Sequence, residues 1–477
     1  MTASLHSAGR PNDSSATGAP SVVRSGSQAV DVEVAPLLEE GLIAGSVHLL
    51  RRAGIVLVVQ VLGAGLAYGL QVLLARLLGA SDFGIYTYVF VWVTFVSLIA
   101  GLGFPAASVR FLPVYRVKED WPRIQGFVRS TSKITLLTAV AIALFGAVGA
   151  EVLHAVGLVA HPSVIVIGAL IVPALAGSML YTEISRADNR VGMAFVPPQI
   201  ARPALIGACA AALFLLSGKL SASSALIATL VSAYAVLTFQ YAFTRHLFNV
   251  PKAERKEVVE LREWFGVGIN LLVVSVFITT LMQVDIVIVG GFLGARDAGI
   301  YAAASKTAAL VTFVIMAVNA AAAPQFASLW SLGRVDELQQ LVTKLAGLIF
   351  WPSLAIAVGL AALAGPLLGL FGPEFQSARP ALLVLLVGQV INAAAGSVGY
   401  LLTLTGHHRE ATRALGLSAL ACILLAVLGV WALGLVGAAI GSTVGFLLWN
   451  GSLYWLVVRK LGIYPSVFTT LHLPRRR

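Results

Sequence analysis

LGASDFGIY, residues 78–86, recurs as LGARDAGIY at residues 293–301, and seven of the nine positions agree without any gap in the alignment. Each copy follows one long apolar run and precedes another. A short turn that recurs at the same point between two apolar runs indicates an internal repeat of membrane-spanning units.

The composition places these runs in a membrane. The 477 residues are 58% hydrophobic and only 11% charged, whereas soluble domains carry roughly 25% charged residues. The apolar runs are long enough to cross a hydrocarbon core of about 30 Å. We predict twelve membrane-spanning helices, at residues 53–77, 84–110, 133–152, 162–182, 199–217, 223–244, 265–291, 299–323, 342–364, 380–404, 412–431 and 436–458.

The basic residues predict the orientation of these helices. If the N-terminus is cytosolic, 27 of the 32 Lys and Arg residues fall in inside segments, as the positive-inside rule requires. The net charge of +11 therefore needs no nucleic acid partner. Both termini are predicted to be cytosolic.

The two copies of the turn divide the chain into two halves. Six predicted spans separate them, and an even number preserves orientation, so both turns face outside. The sequence predicts an all-α polytopic membrane protein with about twelve transmembrane helices in two parallel six-helix repeats. The predicted segments are a disordered cytosolic tail at 1–44, six-helix bundles at 45–244 and 265–460, a basic cytosolic linker at 245–264 and a basic cytosolic tail at 461–477.

The shared residues of the turns have structural explanations. We expect the first glycine to end a helix in the left-handed conformation, the aspartate to cap the next helix, and the second glycine to permit close packing. The tyrosine suits the membrane–water interface. These hinge residues are Gly79, Asp82, Gly84 and Tyr86 in the first copy and Gly294, Asp297, Gly299 and Tyr301 in the second.

Asp285 and Lys306 are two of the few ionisable residues inside the predicted spans. At a rise of 1.5 Å per residue, both lie roughly 10 Å from the outer end of neighbouring helices. An isolated charge at mid-membrane costs about 2.5–3.5 kcal/mol, so we expect an intramembrane ion pair. Its role is either a structural clamp or a switch linked to a substrate or a proton.

Arg76, Arg110 and Arg202 join Lys306 as candidate ligands for an anionic substrate. Arg76 lies one turn from the outer end of the first span, where a basic residue also simply reaches the interface. Arg110 and Arg202 are predicted at inner helix ends, where basic residues are common in any membrane protein. No group of residues has the spacing of a metal site, and no cofactor is expected.

The longer motif LLARLLGASDFGIYTYVFVWVTFVSLIAGLGFPAASVRFLP, residues 73–113, resembles the polysaccharide-biosynthesis, O-antigen-flippase type of membrane protein. This family belongs to the multidrug/oligosaccharidyl-lipid/polysaccharide (MOP) exporter superfamily. Two segments of the second half strengthen the resemblance, which covers about residues 45–460: QVDIVIVGGFLGARDAGIYAAASKTAAL (283–310) and LFGPEFQSARPAL (370–382). One departure is that relatives often have a proline in span 7, where this chain reads WFGVGINLLVV.

The resemblance implies a V-shaped pair of six-helix bundles around a cavity that opens alternately to each side. It also implies a flippase, not an enzyme, that moves polyprenyl-pyrophosphate-linked oligosaccharide to the outer leaflet of a bacterial inner membrane. Glycosyltransferases and a polysaccharide polymerase are the expected partners. The alternative is a cation-coupled multidrug exporter of the same superfamily. The sequence contains no Walker-type nucleotide motif, so ATP hydrolysis by this chain is not expected.

Overall fold

A computed structural model of the protein describes residues 34–157, 162–247, 257–404 and 408–467. Most of the predicted N-terminal tail, the basic linker up to residue 256 and the C-terminal tail from residue 468 lie outside this range. Residues Arg51–Arg477 form one compact unit, and residues Met1–Leu50 form another.

The described chain consists of helices joined by short turns. The first half contains α1 (Val34–Ala100), α2 (Phe104–Val117), α3 (Trp121–Ala155), α4 (Pro162–Ala187), α5 (Val191–Val196), α6 (Arg202–Ser217) and α7 (Ala222–Thr244). The second half contains α8 (Leu261–Leu293), α9 (Ala295–Ala308), α10 (Thr312–Ser331), α11 (Val335–Ala362), α12 (Ala364–Gly369), α13 (Arg379–Ala395), α14 (Val398–Leu404) and α15 (His408–Leu461).

Ten helical segments of the described chain are long and apolar enough to cross a membrane. Two of them are interrupted at a glycine, α1 at Gly79 (φ 72°) and α15 at Gly434 (φ 59°). Each of these two contains two spans, because its length of 43 or 52 residues is about twice what a bilayer requires. The twelve-helix, all-α membrane fold predicted from the sequence is confirmed.

The turns between helices recur in the second half at nearly the spacing of the sequence motif. Residues with positive φ occur at Gly79, Glu119, Gly157 and Gly218 in the first half, and at Gly294, Gly333, Gly372 and Gly434 in the second. When the turns are paired in order, the number of residues that separates the two members of a pair is nearly constant. In each of the other three pairs it differs by at most one residue from the separation of Gly79 and Gly294. The repeat is therefore present in four backbone turns, although the sequence shows it clearly in only one.

Several predicted helix boundaries are wrong: α3 begins at Trp121 instead of residue 133, α11 begins at Val335 instead of residue 342, α10 ends at Ser331 instead of residue 323, and α13 ends at Ala395 instead of residue 404. Two further errors affect candidate site residues. The second span ends at Ala100 instead of residue 110, because Leu102 and Gly103 have φ of 49° and 76° and break the helix. The fifth span begins at Val191 instead of residue 199. The predicted start follows Pro197 and Pro198, but the five residues Pro197–Ala201 form one π-helical turn that connects α5 and α6 without a break.

The hydrophobic cores show how the two halves meet. One cluster runs through both halves and includes Phe83 and Tyr301 beside the repeated turns and Phe371 in the loop after α12. At the opposite end, one separate cluster is formed by the first half with Trp264, and another by the second half around Phe326. We call these the turn end and the linker end. The halves share a core at the turn end and have separate cores at the linker end.

Candidate functional site

The two copies of the repeated turn pack directly against each other. Gly79 and Gly294 have φ of 72° and 90° with extended ψ, a combination that only glycine adopts readily. A Cβ atom added to Gly84 would overlap the carbonyl of Ala295, and one added to Gly299 would overlap the carbonyl of Ala80. Since Ala80 and Ala295 are themselves equivalent positions, this contact is reciprocal, as across a two-fold axis.

Two expectations about these turns are wrong. Asp82 and Asp297 are not capping residues, because each helix restarts directly after its glycine and the aspartate is the third residue of the helix. A carboxylate there still favours the positive end of the helix dipole. Tyr86 and Tyr301 do not face outward to an interface: both are buried inside the protein, at 2% and 0% exposure, and their hydroxyl groups have polar partners there.

The loop after α12 closes the turn end over the first half. The Glu374 carboxylate accepts a hydrogen bond from the Ala80 amide at 2.9 Å and pairs with Arg296 at 3.3 Å. Arg76 is exposed and donates a hydrogen bond from Nε to the Leu370 carbonyl. We call these five residues the turn-end seal. The hydrogen bond of Arg76 thus joins the two halves at this end.

Aromatic side chains lie beneath the turn-end seal. The Phe83 ring meets the Phe375 ring edge-on at a centroid distance of 5.9 Å, and Tyr68 meets Phe371 in the same way at 5.6 Å. In each pair the first residue belongs to the first half and the second to the loop after α12. The pairs exclude water from the contact between the halves.

Asp285 lies buried in the second half, 5% exposed, among hydroxyl groups. Its Oδ2 accepts hydrogen bonds from the Tyr301 hydroxyl at 2.9 Å and from Ser442 at 3.2 Å. Lys306 is near enough to interact with this carboxylate electrostatically. Among the ion pairs of the described residues, however, none joins Lys306 to Asp285. Hydroxyl groups, and not Lys306, are therefore the direct ligands of the carboxylate.

Lys306 lies deep in the protein and next to the contact between the halves. It is partly exposed, whereas Ala302, Ala303, Ala304 and Thr307 around it on α9 are buried. The Thr307 hydroxyl lies 3.2 Å from the hydroxyl of Tyr68 on α1. Lys306 is thus level with Tyr68, about 18 Å below Gly294 at 1.5 Å per residue.

Arg202 lies at a similar depth in the first half, which corrects its predicted position at an inner helix end. An added Cβ at Gly63 of α1 would be 2.8 Å from Gln199, and one at Gly207 would be 3.5 Å from Leu70. The chain from Gln199 to Gly207 therefore runs beside residues 63–70 of α1. Arg202 is partly exposed within this stretch and interacts electrostatically with the Tyr86 hydroxyl.

Arg110 is separated from these residues. It is exposed on α2 and lines a cleft of about 350 Å³ at the linker end together with Tyr115, Lys118 and Glu263. Three basic and three acidic side chains line this cleft, so it has no excess positive charge for an anion. Burial raises the pKa of Tyr115 above its usual value of 10.0, and a hydrogen bond from the Trp264 indole partly opposes the rise.

The structure therefore places two of the four predicted substrate ligands at a similar depth. Lys306 and Arg202 come from different halves. Both lie level with residues 63–70 of α1, the stretch that contains Tyr68. In the described part of the chain, neither cation has a hydrogen bond or an ion pair. Sequence reasoning missed Tyr68, Ser442 and Glu374. Only Glu374 had a signal, since it lies within the quoted segment 370–382.

Comparisons with known proteins agree with this architecture. The family model described as "Polysaccharide biosynthesis protein" matches residues 49–330, more than half of the chain. The chain belongs to this family. No curated protein matches the chain.

Solved structures share the fold at low sequence identity. An inward-facing multidrug resistance MATE family transporter of the MOP superfamily has a TM-score of 0.68 and 15% identity, covering 84% of this chain and 94% of that one. An outward-facing structure of such a transporter has a TM-score of 0.62 and 16% identity, covering 86% and 94%. A MOP superfamily transporter from Pyrococcus furiosus, described as having a binding pocket of reverse polarity, has a TM-score of 0.57 and 16% identity, covering 85% and 95%. The protein is thus a multi-pass membrane protein of the polysaccharide biosynthesis family, and it shares the fold of MOP superfamily transporters.

Proposed function

We propose that this protein flips a polyprenyl-pyrophosphate-linked oligosaccharide from the cytosolic to the outer leaflet of a bacterial inner membrane. The observation that carries the proposal is the pair of cations Lys306 and Arg202, which lie at one depth in different halves and have no direct hydrogen bond or ion pair among the described residues. The family match to polysaccharide biosynthesis supports the substrate class. The transporter acts without chemistry on the glycan, and so is not an enzyme.

A cation from each half is what a pyrophosphate needs in order to cross a membrane. A charge in hydrocarbon costs about 2.5–3.5 kcal/mol even on insertion scales, and a pyrophosphate carries more than one. Lys306 offers a point charge, and the Arg202 guanidinium offers a planar fork that matches phosphate oxygens. The polyprenyl tail stays in lipid throughout, so only the head group has to pass between the halves.

The separation of the cores supports alternating access. With one shared core at the turn end and separate cores at the linker end, this conformation is closed at the turn end. If the linker end is cytosolic, as the basic residues favour, the cations are reached from the side where the glycan is built. Opening at the turn end then requires the turn-end seal to break.

The orientation has a direct test. Cysteines placed at Ser81 and Ser377, both exposed at the turn end, should react with an impermeant thiol reagent in intact cells. A cysteine at Lys118, exposed at the linker end, should react only after the membrane is permeabilised. Labelling of the Lys118 position in intact cells would reverse the proposed direction of transport.

Deletion of the gene tests the function. Cells without the protein should accumulate lipid-linked glycan in the cytosolic leaflet and lose the corresponding surface polysaccharide. Glycosyltransferases and a polymerase are the enzymes expected to make and consume this substrate. A strain that carries Lys306→Ala at normal protein levels should behave like the deletion, and one that carries Lys219→Ala, an exposed lysine in the turn after α6, should not.

Multidrug export is the second candidate. The solved structures reported above include multidrug resistance transporters of the same fold, and Asp285 supplies one buried acid in the second half. This function predicts that the deletion strain keeps its surface polysaccharide and becomes sensitive to cationic drugs. That result would replace the flippase proposal.

A further inference from the structure

Tyr68 of α1 forms a hydrogen bond across the contact between the two halves. Its hydroxyl lies 3.2 Å from that of Thr307 on α9. The Thr307 hydroxyl also donates to the carbonyl of Ala303, one turn earlier in the same helix, at 2.7 Å. A hydroxyl group has a single proton to donate, so Thr307 has none left for Tyr68. Tyr68 is therefore the donor in the bond between the halves.

This donor lies at the depth of the two candidate cations. Thr307 directly follows Lys306 in α9, and Tyr68 belongs to the stretch of α1 that runs beside the chain around Arg202. A phosphate group bound between the two cations would therefore lie level with the Tyr68 hydroxyl. A hydrogen bond to a charged acceptor is roughly twice as strong as one between neutral groups. Phosphate is thus a better acceptor for Tyr68 than Thr307 is.

The ring of the same tyrosine packs beneath the turn-end seal. It meets the Phe371 ring edge-on at a centroid distance of 5.6 Å. Phe371 directly follows Leu370, whose carbonyl accepts the hydrogen bond of Arg76, and it lies in the same short loop as Glu374. One side chain therefore has its hydroxyl group at the depth of the cations and its ring against the loop that closes the turn end.

One turn along α1 from Tyr68 lies an acceptor that lacks a donor. Residues three apart share one face of a helix, so Gln71 lies on the same face as Tyr68. Its side-chain oxygen is buried and has no hydrogen-bond partner in the part of the chain that the structure describes. Buried polar atoms are normally paired. The unpaired oxygen therefore offers a place for a donor from outside the protein, and a sugar hydroxyl group is such a donor.

We propose that Tyr68 is a third ligand of the substrate pyrophosphate and that its change of partner releases the turn-end seal. The inference rests on the proposed function, which supplies the pyrophosphate. When a phosphate group binds between Lys306 and Arg202, the Tyr68 hydroxyl leaves Thr307 and donates to a phosphate oxygen. The bond between the halves is then lost, and the ring shifts away from Phe371. Without substrate, the bond to Thr307 keeps the turn end closed.

Gln71 adds selectivity for the glycan. The pyrophosphate and the first sugar are adjacent in the substrate, and Gln71 is adjacent to Tyr68 on α1. While Tyr68 donates to the phosphate, the free oxygen of Gln71 accepts a hydrogen bond from a hydroxyl group of the sugar. The same face of α1 thus distinguishes the glycosylated lipid from the bare polyprenyl pyrophosphate.

Two substitutions that break the same hydrogen bond separate these roles. Tyr68→Phe and Thr307→Val both remove the bond between the halves, but only Tyr68→Phe removes the phosphate ligand. Spin labels at Lys219 and Leu363, exposed on the two halves at the turn end, measure the opening in a protein without its two native cysteines. In the absence of ligand, both variants should raise the open-to-closed ratio about two- to tenfold, because one neutral hydrogen bond is lost.

The response to polyprenyl pyrophosphate decides between a ligand and a purely structural tyrosine. Added ligand should shift the wild type and Thr307→Val further toward the open state and leave Tyr68→Phe unchanged. Equal responses of the two variants would refute the ligand role of Tyr68, as would a wild type that flips the glycosylated lipid without any ligand-dependent opening. A wild type that neither opens with the ligand nor flips the glycosylated lipid would instead refute the proposed function.

Selectivity for the glycan is tested with two lipids. Gln71→Leu should raise the concentration of a disaccharide-linked polyprenyl pyrophosphate that gives half of the maximal opening at least fivefold. The same concentration for polyprenyl pyrophosphate without a glycan should not change. Gln60→Leu, which replaces another glutamine of α1 three turns nearer the linker end, is the control and should change neither value. Equal shifts for the two lipids would refute the contact between Gln71 and the sugar.

Discussion

The two copies of the repeated turn share a backbone and differ in the charges beneath them. The Tyr86 hydroxyl lies 3.2 Å from that of Thr229 and interacts with Arg202, whereas its counterpart Tyr301 donates to Asp285. The two tyrosines have equivalent positions, yet one faces a cation and the other an acid. Duplication therefore kept the geometry of the contact between the halves, while each half acquired its own polar interior.

The first half has no charged residues at the positions equivalent to Asp285 and Lys306. Counted back by the offset between the two turns, the first-half counterpart of Asp285 is Leu70, and the counterpart of Lys306 is Val91. The first half instead contributes Arg202, which is supplied by its fifth span. A substrate with one strongly anionic group and one long lipid tail is itself asymmetric, so it needs no matching pair of sites.

The largest effect is expected where the two copies touch. Gly84→Ala introduces a Cβ that overlaps the Ala295 carbonyl, so the backbones of the two halves must separate. Overpacking of this kind typically costs about 1–3 kcal/mol, and we expect a loss of folded protein and a clearly lower Tm in detergent. The control is Gly69→Ala, which has no atom within 4 Å of the new methyl group. Equal Tm values for the two variants would contradict the reciprocal contact.

The two tyrosines allow a matched comparison, in which we expect a loss of stability of intermediate size. Tyr301→Phe removes a hydrogen bond to a buried carboxylate, worth about 1.5–3 kcal/mol, and Tyr86→Phe removes a bond between neutral hydroxyl groups, worth about 0.5–1.5 kcal/mol. Tyr301→Phe should therefore lower the Tm more than Tyr86→Phe. The reverse order would mean that Asp285 is not held by Tyr301 as a charged acceptor.

The coupling of Asp285 to Lys306 should be smaller, because it acts through space. A double-mutant cycle with Asp285→Asn and Lys306→Met measures it, and we expect the two changes to be non-additive by about 0.5 kcal/mol or more. Strictly additive changes in stability would show that the two charges act independently. The predicted ion pair would then be wrong as a description of both residues.

The smallest effect is expected for the exposed ion pair of the turn-end seal. Glu374→Gln keeps an oxygen for the Ala80 amide and loses only the exposed pair with Arg296, which is worth about 0–1 kcal/mol. Glu374→Ala loses the helix cap as well, a further loss of about 1 kcal/mol. Stability should fall in the order wild type, Gln, Ala. Glu337→Gln, which breaks an exposed pair with Arg334, is the control for loss of a surface charge.

The fold was largely predictable, because membrane length and positive charge act on whole segments of sequence. The errors arose where a local sequence pattern is compatible with two different structures. The fifth span was predicted to begin after Pro197 and Pro198, but both residues lie within a continuous helix, and this error misplaced Arg202. Tyr86 and Tyr301 fit an interface by residue type, but long-range partners bury them. Trp264 contacts Tyr115 and Phe127, which are far from it in the sequence. No local sequence pattern predicts these contacts.

The central claim is that Lys306 and Arg202 carry a pyrophosphate-linked glycan between the leaflets. The most direct measurement uses proteoliposomes that contain a labelled polyprenyl-pyrophosphate disaccharide and follows its appearance in the opposite leaflet. Wild-type protein and Lys219→Ala should flip the lipid at similar rates, and Lys306→Ala and Arg202→Ala should each be at least tenfold slower although both variants remain folded at the assay temperature. Equal rates for all four proteins, or no flipping by the wild type, would contradict the account.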